Sequence, residues 1–255
     1  MKPMSKVVLS FVIPAYNEEG SIECALSTLD ETVKSRQLEY EIVVVDDGSK
    51  DSTLLKATKY ASRNGHVRVI SYNNNVGKGY AVKKGFMQTK GDVVVFADGD
   101  MDIDLGTVTD YVEALENGDI VVATKWHPDS EISMPLKRKI LSHAFNVLVR
   151  AFTGAKLRDT QVGLKAMKRS AFTKIIPRLC VKRYAFDVEL LSVANLYALK
   201  IIEMPIKLRV EELFSLKDML RMLIDLLGIA YRLRVIHWYQ RPIASSSPSN
   251  EHSDY

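Results

Sequence analysis

Cysteine is scarce: the 255-residue chain holds two, Cys24 and Cys180. Two thiols so far apart give no disulfide framework and no metal-ligand spacing, and reduced cytosolic thiols are the simple reading. Long apolar runs are missing as well. The N-terminal stretch MKPMSKVVLSFVIPAYNEE is broken by Pro14 and runs into acids. It is too short for a spanning helix and has no small-residue cleavage site, so neither an anchor nor a signal peptide is expected. No Gly-x-Gly-x-x-Gly follows the first strand and no Walker A sequence occurs, which removes the Rossmann dehydrogenase and P-loop readings. Neither cysteine has a nearby histidine to form a nucleophile. His66, His127, His143 and His237 are scattered and read as structural or surface residues. No internal repeat is visible.

What is present is ordinary in bulk: 47% apolar and 26% charged residues, a soluble globular composition. The length suits one large domain, or one domain with an appendage. The net charge of +4 conceals an asymmetry. From Asp92 to Glu131 there are eleven acids and one base, Lys125; from Ile132 to Arg183 there are thirteen bases and one acid, Asp159. Such blocks fit a site holding a cation on one side and anionic groups on the other. Two solvated faces of opposite sign would give the same pattern.

The apolar runs VVLSFVIPAY, YEIVVVDD, VRVISY, DVVVFAD and DIVVATKW read as strands, and helical periodicity fills the segments between them. Continuous rather than alternating apolar runs predict an α/β fold with a mostly parallel, doubly wound sheet and helices on both faces. In such sheets ligands bind at the carboxyl ends of the strands. Polar clusters fall there: PAYNEE, DDGS, NNNVGKG and ADGDMDID. Beyond Pro128 come a basic amphipathic helix ending at Gly154, an extended loop with a short strand and helix, another helix and strand, and a long C-terminal helix.

FADGDMDID crowds Asp98, Asp100, Asp102 and Asp104 behind a strand. Alternate residues of an extended segment share a face, so Asp98, Asp100 and Asp102 can converge on Mg²⁺ or Mn²⁺, hard cations that prefer carboxylate oxygen. Helix capping or solvation would also account for an Asp-x-Asp; Asp104 is the best cap candidate and is left out of the metal set. Asp46 and Asp47 close a strand where a carboxylate can accept from a base or ribose. Gly77-Lys78-Gly79 reads as a tight turn rather than a phosphate loop.

Together, FVIPAYNEE, VVVDDGSKDST, NVGKGYAV, FADGD and RDTQVGLKAMKRSAF resemble the inverting family 2 glycosyltransferases with the GT-A fold. Within them, RDTQVGLK followed by RYAFDVELL looks more like the dolichyl-phosphate glucosyltransferases than the mannose enzymes. The resemblance runs from about Val7 to Arg234. It implies that Pro14, Tyr16, Glu18, Val45 and Asp47 hold the nucleotide, and that Asp98, Gly99 and Asp100 line its pyrophosphate and metal, with Asp102 beside them. Lys125 stands where the family usually has arginine, and lysine offers a point charge rather than a fork. Arg209 and Lys217 match a basic pair that folds over the donor. Arg138 and Ser142, one helical turn apart, match positions that bind the acceptor's phosphate. The catalytic set implied is Asp98, Asp100, Lys125, Arg138 and Arg209.

The implied reaction transfers a sugar, glucose from UDP-glucose first of all, with inversion to dolichyl or polyprenyl phosphate. GDP-mannose as donor, or another acceptor, is the alternative. An acceptor phosphate oxygen is anionic at neutral pH, so no general base is needed. The expected organisation is a domain over 1–241, with a nucleotide-sugar half at 1–130, an acceptor half at 131–217 and an interfacial helix at 218–241, then a disordered tail at 242–255. Arg221, Arg232, Arg234, Trp238 and Tyr239 fit a C-terminal helix at a membrane surface, and packing on the core fits equally. The expected location is cytoplasmic, peripheral on the cytoplasmic face of a membrane. No nucleic-acid partner is expected. A nucleotidyltransferase or a non-catalytic sugar-nucleotide module remain different classes, disfavoured by the loop PAYNEEGS and by the intact Asp98-x-Asp100.

Overall fold

The computed structural model describes residues 8–100, 102–155, 157–210 and 216–241. The first elements are β1 (Val8–Ala15), α1 (Ile22–Ser35), β2 (Glu39–Asp46), α2 (Thr53–Ala61), β3 (Val67–Ser71), α3 (Lys78–Met87) and β4 (Val93–Phe96). Then come α4 (Val108–Ala114), β5 (Ile120–Ala123), β6 (Glu131–Ser133), α5 (Leu136–Thr153), β7 (Lys165–Lys168) and α6 (Arg169–Ile175). The chain closes with α7 (Phe186–Leu196), β8 (Ile201–Met204), β9 (Lys207–Arg209) and α8 (Leu216–Arg234).

Seven strands form one sheet in the order β3-β2-β1-β4-β7-β5-β8. β7 runs antiparallel to both its neighbours; the other pairings are parallel. β7 comes from the basic block yet sits between β4 and β5, so the sheet draws on both halves of the sequence. Side chains of each strand alternate between two cores. Leu9, Phe11, Ile13, Ile42 and Val44 face α1 and α4 in one, while Val12, Val43, Val45, Val94 and Phe96 face α3, α6 and α7 in the other. Burial on both faces is why the strand runs are continuous in the sequence. Each fully buried large apolar side chain contributes roughly 1.5–3 kcal/mol.

The segment expected as a single strand, KIIEMPIKLRV, divides at Pro205. β8 joins the main sheet and β9 pairs with β6 in a two-stranded sheet. Proline has no amide to donate to a ladder, so pairing stops there. α5 ends as expected at Gly154, whose φ of 73° is left-handed and costs glycine little. Both cysteines are free and exposed. The expected tail at 242–255 lies outside the described residues.

α8 is shorter than the periodicity suggests, ending at Arg234, with His237 at φ 48° beyond it. The sequence leaves core and membrane open for this helix; the structure buries one face in the core and leaves the other exposed. Met222, Leu226, Ile229 and Ala230 are buried in the core, with Leu226 and Ile229 at 0% exposure. Leu220, Ile224, Leu227 and Tyr231 are exposed. The helix is fastened by Glu189 of α7, itself 0% exposed. One carboxylate oxygen accepts the Cys180 and Val181 amides at 2.8 and 2.7 Å; the other accepts the Tyr239 hydroxyl at 2.6 Å and lies 3.4 Å from the Arg232 guanidinium.

Removing the chain from Met219 onward therefore opens the second core, and the truncated protein should lose cooperative urea unfolding. Glu189→Ala removes the counter-charge of Arg232 and the acceptor of the Cys180 and Val181 amides, and should lower the unfolding free energy by about 3–5 kcal/mol. Tyr239→Phe removes the hydroxyl that donates to Glu189 and accepts from Arg232 Nε at 2.9 Å, but keeps the ion pair, and should cost about 1.5–3 kcal/mol. Equal losses for the two variants would contradict the clamp.

Candidate active site

β3, β2, β1 and β4 are adjacent and parallel, so the chain leaves each of them at the same edge of the sheet. The polar clusters of the sequence meet there. Asn17 adopts φ 58°, a left-handed conformation that asparagine tolerates. Its amide donates to Ser49 Oγ at 3.0 Å and its side-chain oxygen accepts the Lys50 amide at 2.9 Å. The Glu18 amide donates to Thr53 Oγ1 at 2.7 Å. These bonds tie the loop after β1 to the loop after β2 and hold the half-buried Glu18 in place. Burial raises the Glu18 carboxyl, the Ser21 hydroxyl opposes that, and the charges of Asp98, Asp102 and Asp51 add to the rise.

Asp98 is half-buried at the end of β4, and Asp100 is exposed as a residue. The Asp102 amide donates to Asp100 Oδ1 at 3.1 Å. Burial of its carboxyl, then the charges of Asp98 and Asp102, push Asp100 up to about 7. The like-charge part of that rise is what a bound cation cancels. Asp104 stands apart as a cap, accepting the Gly106 amide at 2.9 Å. Among the described residues no three acids, histidines or cysteines form a ready-made metal cage. Mg²⁺ and Mn²⁺ do not require one: they are commonly held by one or two carboxylates, with water and phosphate completing the shell. The oxygen donor set of Asp98, Asp100 and Asp102 fits that chemistry.

Four charges alternate beneath the acid loop. Lys78 Nζ lies 2.8 and 3.0 Å from the two oxygens of Asp98 and 3.2 Å from Asp187 Oδ2. The other Asp187 oxygen is 2.8 Å from Lys165 Nζ, which also donates to the Val162 carbonyl at 2.6 Å. Burial works against the Lys78 ammonium, but Asp187 and Asp98 outweigh it and raise its pKa. Burial prevails at Lys165, whose pKa is lowered despite Asp187. The Asp187 carboxyl is held down by Lys165 and Lys78 although burial opposes this.

Two glycines permit the arrangement. Gly77 has φ 122°, and a Cβ there would meet the Lys182 carbonyl at 2.5 Å. A Cβ on Gly163 would meet Asp98 Oδ2 at 1.7 Å. The sequence places Lys78 only in a tight turn, and assigns Asp187, Lys165 and Gly163 no role of their own. A weak signal was present: Lys165 and Asp187 interrupt the apolar stretches VGLKAM and AFDVELL, and charges there must find partners once buried.

The expected residues take several positions. Pro14 is half-buried in β1, and Tyr16 is 42% exposed at its end. Val45 is 0% exposed and its side chain belongs to the core. Both oxygens of Asp47 accept main-chain amides, from Val76 and Gly77 at 2.8 Å each. Asp47 thereby braces the turn that carries Lys78. Gly99 is buried. Lys125 is tied to Asp159 at 2.6 Å, with the aspartate side chain at 0% exposure. The single base of the acidic block and the single acid of the basic block are thus one ion pair.

Arg209 is exposed, and its amide donates to the Asp102 carbonyl at 2.9 Å, which brings it to the acid loop. Asp102 and Arg209 also line a cleft of about 490 Å³ with Glu131 and Lys207. Lys217 is exposed at the start of α8; residues 211–215, between Arg209 and α8, lie outside the described set. Arg138 and Ser142 are half-buried on α5. Trp126 links that helix to Lys125, its ring standing edge-on to His143 of α5 at 5.3 Å.

Comparison with known proteins bears on the family and the fold. The family model described as glycosyl transferase family 2 matches residues 10–176. The chain is 31% identical to the dolichyl-phosphate beta-glucosyltransferase of Dictyostelium discoideum, covering 92% of this chain and 78% of that protein. It is 33% identical to the human dolichyl-phosphate beta-glucosyltransferase, over 90% of this chain and 77% of that one. Among solved structures it superposes on glucosyl-3-phosphoglycerate synthase from Mycobacterium tuberculosis, in complex with Mn²⁺ and uridine-diphosphate-glucose. That match has a TM-score of 0.66 at 20% identity and covers 93% of this chain and 81% of the other. The fold is therefore α/β and GT-A-like.

Lys125→Met or Asp159→Asn alone leaves a buried charge unpaired and should cost about 3–5 kcal/mol in urea unfolding. The double variant should cost clearly less than the sum. Additive losses would show that the two charges are not coupled.

Proposed function

We propose that this chain, which belongs to glycosyl transferase family 2, transfers glucose from UDP-glucose to the phosphate of a dolichyl-type polyprenyl lipid, with inversion at C1. The observation that carries the reading is the acid loop Asp98–Asp102 at the carboxyl edge of the sheet, where Glu18, Lys78 and Arg209 also gather. The likeness to dolichyl-phosphate beta-glucosyltransferases supports the donor sugar and the acceptor. A fold shared with a protein crystallised with Mn²⁺ and UDP-glucose supports the donor and the cation.

In this reading the C1–oxygen bond to the nucleoside diphosphate breaks as an acceptor phosphate oxygen forms its bond to C1 from the opposite face. The acceptor oxygen is already ionised at neutral pH, so the reading requires no general base. Mg²⁺ or Mn²⁺ on Asp98 and Asp100, with Asp102 beside them, supplies charge to the leaving diphosphate. Arg209 and Lys217 add fixed or mobile cations on the same side. Tyr16 and Glu18 line the nucleotide. Asp47 acts through the 76–77 turn, and Lys125 holds the 159–165 loop against Asp98. Arg138 and Ser142 receive the acceptor's phosphate.

A polyprenyl acceptor confines the reaction to a membrane surface, and the reading puts the enzyme on the cytoplasmic face as a peripheral protein. No helix among the described residues is long and apolar enough to cross a bilayer. Nine of the exposed large apolar residues gather instead on two helices that lie together, joined where Arg234 donates to the Ala151 carbonyl at 2.9 Å. Leu136, Ile140, Leu141, Val147 and Leu148 of α5 and Leu220, Ile224, Leu227 and Tyr231 of α8 are all exposed. Lys137, Lys139, Arg150, Arg221 and Arg234 flank them. An apolar stripe edged with cations suits a lipid interface, each cation adding on the order of 1 kcal/mol near anionic headgroups.

Incubation with labelled UDP-glucose, GDP-mannose or UDP-N-acetylglucosamine, with dolichyl phosphate and Mn²⁺, should send label into the organic phase from UDP-glucose alone. Label from GDP-mannose would make the chain a mannose enzyme, and label only in a water-soluble product would remove the lipid acceptor. Asp100→Ala should abolish transfer with the fold intact. Arg138→Ala should raise KM for the lipid phosphate about tenfold or more, as loss of a charge-assisted contact does, and leave that for the donor near its starting value. Ile140→Glu with Ile224→Glu should lower co-flotation with anionic vesicles without changing the urea midpoint, since both side chains are exposed.

A further inference from the structure

We propose that Lys78 is a tethered cation that occupies the Asp98 carboxylate until a divalent ion arrives, and that the ion displaces it. The inference rests on the reading of Asp98 and Asp100 as metal-holding residues, and it concerns what this chain does at that place before the metal binds.

The geometry carries it in three parts. The Lys78 ammonium sits astride the carboxylate, 2.8 Å from one Asp98 oxygen and 3.0 Å from the other. A divalent cation on Asp98 would contend for those same oxygens. Next, Lys78 has a second carboxylate within reach, Asp187 Oδ2 at 3.2 Å, whose other oxygen is held by Lys165 at 2.8 Å. Loss of Asp98 therefore does not strand the ammonium without a counter-charge, which would otherwise forbid the exchange at a site this buried. Finally, the main chain of Lys78 cannot follow its side chain. Asp47 accepts the Gly77 amide at 2.8 Å, and Gly77 and Gly79 press against the 181–186 segment so closely that a Cβ on either would come within 2.8 Å of it. Exchange is thus confined to the flexible lysine stem. Without an ion, Asp98 stays neutralised among its acidic neighbours; with one, the released ammonium adds a positive charge beside the bound ligand.

The test is a calorimetric titration of Mn²⁺ into the full chain without nucleotide. Lys78→Met keeps an unbranched stem, one atom shorter, and removes its charge. It should bind Mn²⁺ about tenfold more tightly than the unaltered protein, since a charge-assisted contact no longer has to be broken. Lys78→Arg keeps a competing cation and should show no such gain. Equal or weaker Mn²⁺ binding by folded Lys78→Met would overturn the inference and leave the metal reading standing. Binding by neither protein would overturn both. A second measurement needs no methionine variant. In ¹⁵N-lysine-labelled protein the Lys78 side-chain ammonium signal, assigned by its loss in Lys78→Arg, should move on addition of Mg²⁺. A signal unmoved at saturating Mg²⁺ would refute displacement.

Discussion

The alternating chain Asp98–Lys78–Asp187–Lys165 is the interaction on which the candidate site depends. Each of its charges is poorly exposed, with side-chain values of 25%, 16%, 8% and 2%. No single pair among them would be stable there alone, because removing an ion from water costs several kcal/mol. Shared out along the row, each charge faces one of opposite sign. The row also joins four separate parts of the fold: the end of β4, the start of α3, the start of α7 and β7. The acid loop is therefore placed by residues that are not acidic loop residues at all.

Glycine decides how closely those parts approach. Gly163 lets the loop before β7 touch Asp98, and Gly77 lets the turn before α3 touch the segment before α7. Asp47 and Asp159 do comparable work with carboxylates turned inward to main-chain amides and to Lys125. A rigid frame built from such buried polar contacts keeps the outward-facing acids near one another despite their repulsion, which is the condition for holding a cation.

The second core follows a similar logic at the far end of the chain. Glu189 gathers Arg232 and Tyr239 onto α7, so that α8 buries one face and shows the other. A sequence reading sees one amphipathic pattern and offers either the core or a membrane as its partner. The structure gives each face its own environment, with Leu226 and Ile229 inside and Ile224 and Leu227 outside.

Much of this was legible in the sequence. Strand and helix identity follow from local periodicity, and the α/β sheet with its polar carboxyl edge follows from their alternation. Asp98, Asp100 and Asp102 announce themselves by crowding, Asp104 by its capping position, and family membership by five motifs in order. Local patterns determine these features because neighbours in sequence suffice to produce them. The antiparallel insertion of β7 was not legible, since strand order depends on which edges remain open once the others have paired. Nor were the roles of Lys78, Asp187 and Lys165, or the pairing of Lys125 with Asp159. Those contacts join residues 20 to 109 positions apart, and a buried charge finds its partner only when packing has removed water from both. The sequence by itself determined which elements form and which acids crowd one strand end; tertiary structure alone decided which of its charges face outward at the sheet edge and which face one another.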